Sequence, residues 1–118
     1  MKFTKPKAIY MQIADYICES ILANDLKEGD RIQSVREMAA QVEVNPNTVA
    51  RTFTYLQDKE IIYNKRGVGY FVAEDAFEKN KSLKKDAFIK RILPEVFKMM
   101  ELLNISFEDL KILKKEEV

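Results

Sequence analysis

The sequence predicts a mainly helical α+β fold, in which a winged helix-turn-helix head is followed by a helical tail. Three observations lead to this prediction: a capped helix start at Ser34, a second helix start at Asn45-Pro46, and two β-prone runs around a glycine-containing turn after them. A helix, a turn, a second helix and a hairpin in this order are the parts of a winged helix. We expect the head to cover residues 1–75, and a linker with a dimerisation segment to cover residues 76–118.

The first segment, from Ala8 to about Ala23, has the pattern of an amphipathic helix. Isoleucine recurs every four residues at positions 9, 13, 17 and 21, and this spacing places all four side chains on one face. Cys18 falls on the flank of the apolar stripe, which predicts an ordinary helix residue. The helix should cover the core of the helix-turn-helix.

Two capping signals predict where the next two helices begin. Ser34 and Glu37 have the spacing of a capping box, in which each side chain accepts a hydrogen bond from the other residue's backbone N–H. Asn45 can cap the second helix of the helix-turn-helix. Pro46 suits the first position of that helix, because the N–H that proline lacks would have no helical partner there. We expect this second helix to cover residues 46–58.

The second helix has two distinct faces. Its inner arc consists of Val49, Thr52, Phe53 and Leu56. Its outer arc consists of Asn47, Ala50, Arg51 and Thr54, flanked by Thr48 and Tyr55. The amide, hydroxyl, methyl and guanidinium groups of the outer arc are the types that read base edges in a major groove and hold phosphates. The outer arc therefore predicts a surface that reads DNA.

A hairpin is predicted directly after this helix. The β-prone runs at 61–63 and 70–72 flank a short, polar and basic segment, which predicts a wing over residues 64–69. Lys65, Arg66 and Gly67 lie at its tip. Such a tip suits a phosphate backbone or a minor groove, and the alternative is a solvated turn without a partner.

The tail has a broad apolar face. Apolar residues fill nine of the fifteen positions from 89 to 103, and spacings of three and four predict a helix that packs on a last helix near 107–113, capped by Ser106, and on a second subunit. A coiled-coil seam is an equally good explanation, and it also implies dimerisation. Pro94 predicts a kink or a break, and residues 74–85 should form an exposed helical linker. The expected interface residues are Ile89, Ile92, Leu93, Val96, Phe97, Met99, Met100 and Leu103.

Composition excludes several classes of protein. The 118 residues suffice for a small core but not for a catalytic cleft as well. Without histidine, and with one cysteine, the chain has no ligand set for zinc and no internal disulfide. It also has no phosphate-binding glycine loop and no acidic metal cluster, so we expect no enzyme, no cofactor and no metal. The absence of a long apolar run and of a signal peptide predicts a cytoplasmic protein with no membrane partner.

Net charge by itself does not indicate nucleic-acid binding. Residues 1–75 carry ten Lys and Arg against eleven Asp and Glu, and the remaining residues carry ten against eight. The predicted recognition elements are more basic than the chain as a whole. Their cations are Arg31, Arg36, Arg51, Lys65 and Arg66, against Glu37 and Glu43. A local basic face suffices for phosphate contacts.

From Tyr10 to Val72 the sequence resembles the GntR family of bacterial transcription regulators. The matching segments are Tyr10-Met11-Gln12-Ile13, Gly29 to Ala39, Val44 to Arg51, and Lys65 to Val72. The short tail resembles the YtrA-like branch, whose members have only a helical dimerisation segment there. Gln33, Glu43 and Glu60 depart from the family pattern of Pro, Gly and Gly. Positions 43 and 60 should have positive φ, at a cost of about 1 kcal/mol each.

The resemblance implies a homodimeric repressor that reads an inverted repeat in double-stranded DNA, with half-sites about one helical turn apart or somewhat more. It implies leading contacts from Arg36, Asn47 and Arg51, with Arg51 suited to guanine. The supporting contacts would be Ser34, Asn45, Thr48, Lys65, Arg66 and Gly67. The alternative is a winged-helix protein-interaction module, against which the polar outer arc argues. The sequence indicates no particular operator, regulated gene or small-molecule effector.

Overall fold

The computed structural model describes residues 7–117. The helices among them are α1 (Ile9–Leu22), α2 (Val35–Val42), α3 (Pro46–Asp58), α4 (Ala76–Ala87), α5 (Leu93–Leu103) and α6 (Phe107–Glu116), with a π turn at Phe88–Ile92. The strands are β1 (Arg31–Ile32), β2 (Ile62–Lys65) and β3 (Gly69–Val72). The chain divides into two compact units, one up to Ser82 and one from Leu83. The expected functional division after residue 75 stays a prediction.

The core of the first unit lies among α1, α2, α3 and the sheet. The inner arc of α3 is confirmed, since Val49, Thr52, Phe53 and Leu56 have no exposed surface. On α1, Ile13, Ile17 and Ile21 are buried together with Ala14 and Cys18. Ile9, the first residue of the helix, is 56% exposed, so three of the four isoleucines on this face contribute to the core.

Local signals set the helix starts as predicted. The backbone N–H of Glu37 donates to the Ser34 hydroxyl at 3.1 Å, and the backbone N–H of Ser34 donates to the Glu37 carboxylate at 3.1 Å. The Asn45 side-chain oxygen accepts a hydrogen bond from the Asn47 backbone N–H at 2.8 Å. Glu43 and Glu60 have φ of 56° and 59°, which confirms the left-handed conformation expected at both positions.

The three strands form an antiparallel sheet in the order β1-β3-β2. Phe71 pairs with Arg31 on one side and with Tyr63 on the other, so these three residues share one face. Ile32, Ile62 and Val72 are buried. The sheet therefore closes the core and carries the wing at the β2–β3 turn.

Helix α4 is not the fully exposed linker that the polar sequence of residues 74–85 predicts. Ala76 and Asn80 are each 1% exposed, and Phe77 packs partly against the core of the first unit. The Asn80 side chain donates to the Cys18 carbonyl at 2.7 Å, and Lys79 pairs with Glu60 at 3.2 Å. The prediction was wrong for the first turns of α4 because three inward side chains, Ala76, Phe77 and Asn80, are enough to dock an otherwise polar helix.

The second unit contains a change of helix type at the place where Pro94 predicts a kink or a break. The π turn directly precedes α5, and Pro94 is the second residue of α5. The backbone at Ala87, Ile92 and Leu93 stays right-handed helical, so the helix is irregular here but is not broken. Ser106 caps α6 by accepting from the Asp109 backbone N–H at 3.0 Å, as expected. Among residues 7–117, none of the helices has the length and apolar character that a membrane span requires.

Candidate nucleic-acid interface

The outer arc of α3 is exposed. Asn47, Ala50, Arg51 and Thr54 are all exposed, and Thr48 and Tyr55 are partly buried beside them. Asn45 and Pro46 fix the start of the helix, so the positive end of its dipole lies next to Asn47. This surface can hydrogen-bond base edges, contact a methyl group and attract phosphate.

Arg51 does not extend freely from this arc. Its guanidinium carbon lies 3.9 Å from the centre of the Tyr10 ring on α1. The Tyr10 ring also meets the Tyr55 ring edge-on, with 6.5 Å between centroids and 72° between planes. The Thr52 hydroxyl donates to the Tyr10 carbonyl at 2.7 Å, which ties the start of α1 to the middle of α3.

The start of α2 carries the second predicted group of contacts. Ser34 is partly buried, and its oxygen accepts the capping hydrogen bond, so its hydroxyl proton is free to reach an acceptor such as a phosphate. Arg36 is exposed at the second position of the helix. The backbone and side-chain hydrogen bonds of Ser34, with a further contribution from the charge of Arg31, hold the pKa of Glu37 below its ordinary value of 4.5.

The wing places Lys65, Arg66 and Gly67 at an exposed turn. The Val68 N–H donates to the Lys65 carbonyl at 2.8 Å and closes the turn, and Gly67 has φ of 78°. The Lys65 ammonium lies 5.6 Å from the centre of the Phe71 ring, which limits its freedom. The hydrogen bond thus holds the backbone of the turn, and the charged groups of Lys65 and Arg66 are exposed to solvent.

Arg31 links the first strand to the wing. Its Nε makes a long hydrogen bond of 3.5 Å to the Val68 carbonyl. A Cβ at Gly69 would lie 3.0 Å from the same Nε, so glycine at this position leaves room for the Arg31 side chain. Gly69 also has φ of 140°, which other residues rarely adopt.

The cations of this surface form no close ion pair within the described residues, although Arg31 acts on Glu37 at longer range. The ion pairs found there join Lys7 to Asp15, Lys79 to Glu60, Lys90 to Asp86 and Lys111 to Glu108. Arg31, Arg36, Arg51, Lys65 and Arg66 belong to none of them. Their charges are therefore available to an anionic ligand.

The structure brings the predicted contact residues onto one connected scaffold. Helices α2 and α3 pack together, and the base of the wing packs on α3 through Phe53 and Tyr70, whose rings lie 4.7 Å apart at 72°. Sequence reasoning did not find the contacts of Tyr10 with Arg51 or of Arg31 with Val68. Both join residues far apart in the chain, and no local pattern could have indicated them.

The second unit exposes most of the predicted dimerisation residues. Their exposed fractions are 50% for Ile89, 55% for Ile92, 38% for Val96, 46% for Phe97, 48% for Met99 and 59% for Leu103. Leu93 is partly buried, and Met100, at 7%, is covered within its own chain. Phe97 meets Phe107 edge-on at 6.1 Å beside an open groove between α5 and α6. A single chain leaves this apolar surface in water.

No metal site accompanies these surfaces. Among residues 7–117, His, Cys, Asp and Glu nowhere form a group of three or more that is placed to hold a metal ion. The thiol of Cys18 is buried in the first unit.

Residues 9–72 match the family model described as "Bacterial regulatory proteins, gntR family". The chain is 38% identical to the HTH-type transcriptional regulator YhcF of Bacillus subtilis over 92% of its own length and 88% of the relative. It is 40% identical to the HTH-type transcriptional repressor YtrA of the same organism, over 58% of this chain and 52% of the relative.

Solved structures agree with the sequence comparisons. A GntR-family transcriptional regulator from Bacteroides thetaiotaomicron is 45% identical and superimposes with a TM-score of 0.72, covering 92% of this chain and 95% of the other. The N-terminal domain of AraR, solved in complex with a mutant of the DNA operator ORR3, is 26% identical with a TM-score of 0.54, covering 61% of this chain and 100% of the other. DNA-binding heads of this fold thus occur bound to operator DNA.

Proposed function

The chain belongs to the gntR family of bacterial regulatory proteins, and from that membership we propose that it is a homodimeric repressor that reads an inverted-repeat operator through α3 and the wing. It is a helix-turn-helix transcription regulator and not an enzyme. The observation that carries the finer proposal is the exposed outer arc of α3, capped at its start and free of acidic residues.

The proposed contacts follow from the chemistry of each side chain. The fork of Arg51 can bond O6 and N7 of one guanine, and the Asn47 amide can bond an adenine. Arg36 at the start of α2 is suited to a base or a phosphate. Supporting phosphate contacts are proposed for Ser34, Asn45, Thr48, Lys65, Arg66 and the backbone of Gly67. Base contacts would set specificity, and phosphate contacts would set register and affinity.

Dimerisation is proposed through the second unit. A helix pair that leaves side chains such as Ile92, Val96 and Leu103 half exposed loses free energy in water, and pairing with a second copy recovers it. A two-fold axis through this contact would present two α3 helices to successive major grooves. The proposed interface comprises Ile89, Ile92, Leu93, Val96, Phe97, Met99, Met100 and Leu103, with Met100 contributing least surface.

Repression is proposed from the likeness to YtrA, which is itself named a repressor. A dimer that occupies an operator overlapping a promoter excludes the polymerase by blocking its site. Repression of this kind requires no interaction surface other than the one that binds DNA. Such a protein would act in the cytoplasm, where bacterial DNA lies. We identify no effector for it.

The experiment that tests the proposal is selection of duplexes from a randomised pool by the full chain, followed by footprinting and transcription in vitro from a promoter that carries the selected site. We expect an inverted repeat, protection of two half-sites on one face of the duplex, and less transcript as protein is added. Failure to enrich any duplex would favour the protein-interaction module. Enrichment of a single half-site, or increased transcript, would contradict the dimer or the repressor respectively.

A further inference from the structure

The contact between Arg51 and Tyr10 extends the DNA-reading surface from α3 to α1. We propose that Tyr10 is a positioning residue, whose ring holds the Arg51 guanidinium in the orientation in which it meets a base edge. This inference rests on the proposed function, because it assumes that α3 enters a groove of DNA. It assigns a role in recognition to a side chain that lies outside the helix-turn-helix.

The geometry of the contact leaves the Arg51 donors free. The guanidinium carbon lies 3.9 Å from the ring centre, a distance at which the cation is attracted to the electron-rich ring face. A ring face accepts the charge without supplying an oxygen acceptor. Within residues 7–117, this contact is the one interaction of the Arg51 side chain that the structure contains. The N–H groups that would bond a guanine thus remain available.

Tyr10 is itself held in place from two sides. Its carbonyl accepts the hydrogen bond of the Thr52 hydroxyl, and Thr52 has no exposed surface. The edge-on contact with Tyr55 restrains its ring. Tyr55 also lies under the Lys59 ammonium, 5.8 Å from the ring centre. Arg51 and Tyr55 are four residues apart on α3, so their side chains are neighbours on one face and the Tyr10 ring contacts both as a fixed platform.

Preorganisation is the physical reason why such a platform would matter. A free arginine samples many rotamers and loses that freedom when its fork is fixed on a base. A stacked arginine has lost part of that freedom before DNA arrives, so binding costs less. An exposed cation–π contact has the strength to account for a change of about 2- to 5-fold in affinity.

The test compares variants of the full chain on the duplex that the wild-type chain selects most strongly, and on a random duplex. Tyr10→Leu removes the ring, and Tyr10→Phe keeps it. Tyr16→Leu is the matched control, because Tyr16 is another tyrosine of α1 with 57% of its surface exposed. We expect Tyr10→Leu to bind the selected duplex about 2- to 5-fold more weakly, while Tyr10→Phe and Tyr16→Leu bind like the wild type.

A double-mutant comparison separates positioning from general destabilisation. In an Arg51→Ala background, Tyr10→Leu should cause no further loss, and by itself it should relax the preference at the same base pair as Arg51→Ala. A merely structural Tyr10 would weaken both duplexes equally and leave the base preference intact. NMR gives an independent readout in the DNA-free chain: the Arg51 Nε–H signal should lose its ring-current shift in Tyr10→Leu and keep it in Tyr10→Phe.

The outcomes also separate this inference from the proposed function. If Arg51→Ala weakens specific binding while Tyr10→Leu leaves affinity and base preference unchanged, the positioning role is refuted and the proposed function stands. Tighter binding by Tyr10→Leu would refute it too, because the ring would then sequester Arg51. If Arg51→Ala has no effect on either duplex, the assignment of α3 to the groove fails, and the inference fails with it.

Discussion

Asn80 on α4 donates its side-chain amide to the backbone carbonyl of Cys18 on α1 at 2.7 Å, across 62 positions of sequence. Asn80 is 1% exposed and Cys18 is 6% exposed, so the hydrogen bond lies in the interior of the first unit. Buried hydrogen bonds are costly to break because the remaining polar group loses its partner without gaining water. The start of α4 is therefore packed into the first unit.

Replacing Asn80 with Ala should lower the free energy of unfolding by about 1–3 kcal/mol, because a buried donor is removed and a small cavity is left. Urea unfolding at a fixed protein concentration measures the change. Lys81→Ala is the control, since Lys81 is the exposed neighbour on the same helix. Equal stability of the two variants would show that the Asn80 contact adds nothing to the stability of the first unit.

Replacing Arg51 with Ala should weaken binding to the selected duplex by about 1–3 kcal/mol and relax the preference at one base pair of each half-site. Arg51→Lys keeps the charge but loses the fork, so it should lose the base preference and retain more of the affinity for random duplexes. Binding isotherms on the two duplexes measure both effects. An equal loss on both duplexes would mean that Arg51 contacts only phosphate.

Changing Lys65 and Arg66 together to Ala should weaken binding to every duplex, since both side chains are exposed cations at the wing turn. The plot of log affinity against log salt should flatten by up to about two phosphate contacts per subunit. The matched control is the double replacement of Lys114 and Lys115, an exposed adjacent pair on α6. An unaltered salt slope in the wing variant would show that the wing does not touch DNA.

Placing Asp at Val96 and Met99 should convert a dimer into a monomer, because both side chains are about half exposed in one chain and an unpaired carboxylate buried at an interface costs several kcal/mol. Sedimentation measures the mass, and loss of avidity should weaken operator binding by a factor of about 10². Met100 is unsuited to this test because it is already buried. Lys85→Asp is the control for an added carboxylate and should remain a dimer. If the Val96 and Met99 double variant is a dimer as well, the proposed interface is wrong.

The capping box at α2 should make stability depend on pH. Hydrogen bonds from Ser34 lower the pKa of Glu37 in the folded chain, whereas the unfolded chain has the ordinary value of 4.5. Its stabilising effect is therefore present above pH 4.5 and is lost as the pH falls through the lower, folded-state pKa. Glu37→Gln keeps a capping oxygen but lacks the charge. The variant should therefore be less stable than the wild type above pH 4.5, and the difference should disappear as the pH falls through the folded-state pKa. Urea unfolding across pH measures this, and a pH-independent difference would contradict it.

Much of the fold could be predicted because its signals are local. The capping boxes at Ser34 and Ser106 and the cap at Asn45 each involve residues within three positions of one another. The left-handed residues Glu43 and Glu60 were expected where the resemblance has glycine. The docking of α4 was not predicted, since its buried Asn80 is indistinguishable in sequence from a solvated one.

The candidate site divides in the same way. The exposure of Asn47 and Arg51 was predictable, because helical periodicity fixes which side chains share a face with the buried Val49 and Phe53 and which do not. Their DNA contacts, and those of the wing, stay predictions. The surroundings of Arg51 were not predictable, because its neighbour Tyr10 comes from another helix.

The sequence by itself determined the order of the elements, their starting points and their inner faces, since these depend on backbone preferences and on side chains within one or two turns. Tertiary structure alone decided the contacts of Tyr10 with Arg51, of Asn80 with Cys18, and of Arg31 with Val68. Each joins elements whose approach depends on the packing of the whole core. Such packing is a collective property of many side chains, and no single segment of the chain carries the information that specifies it.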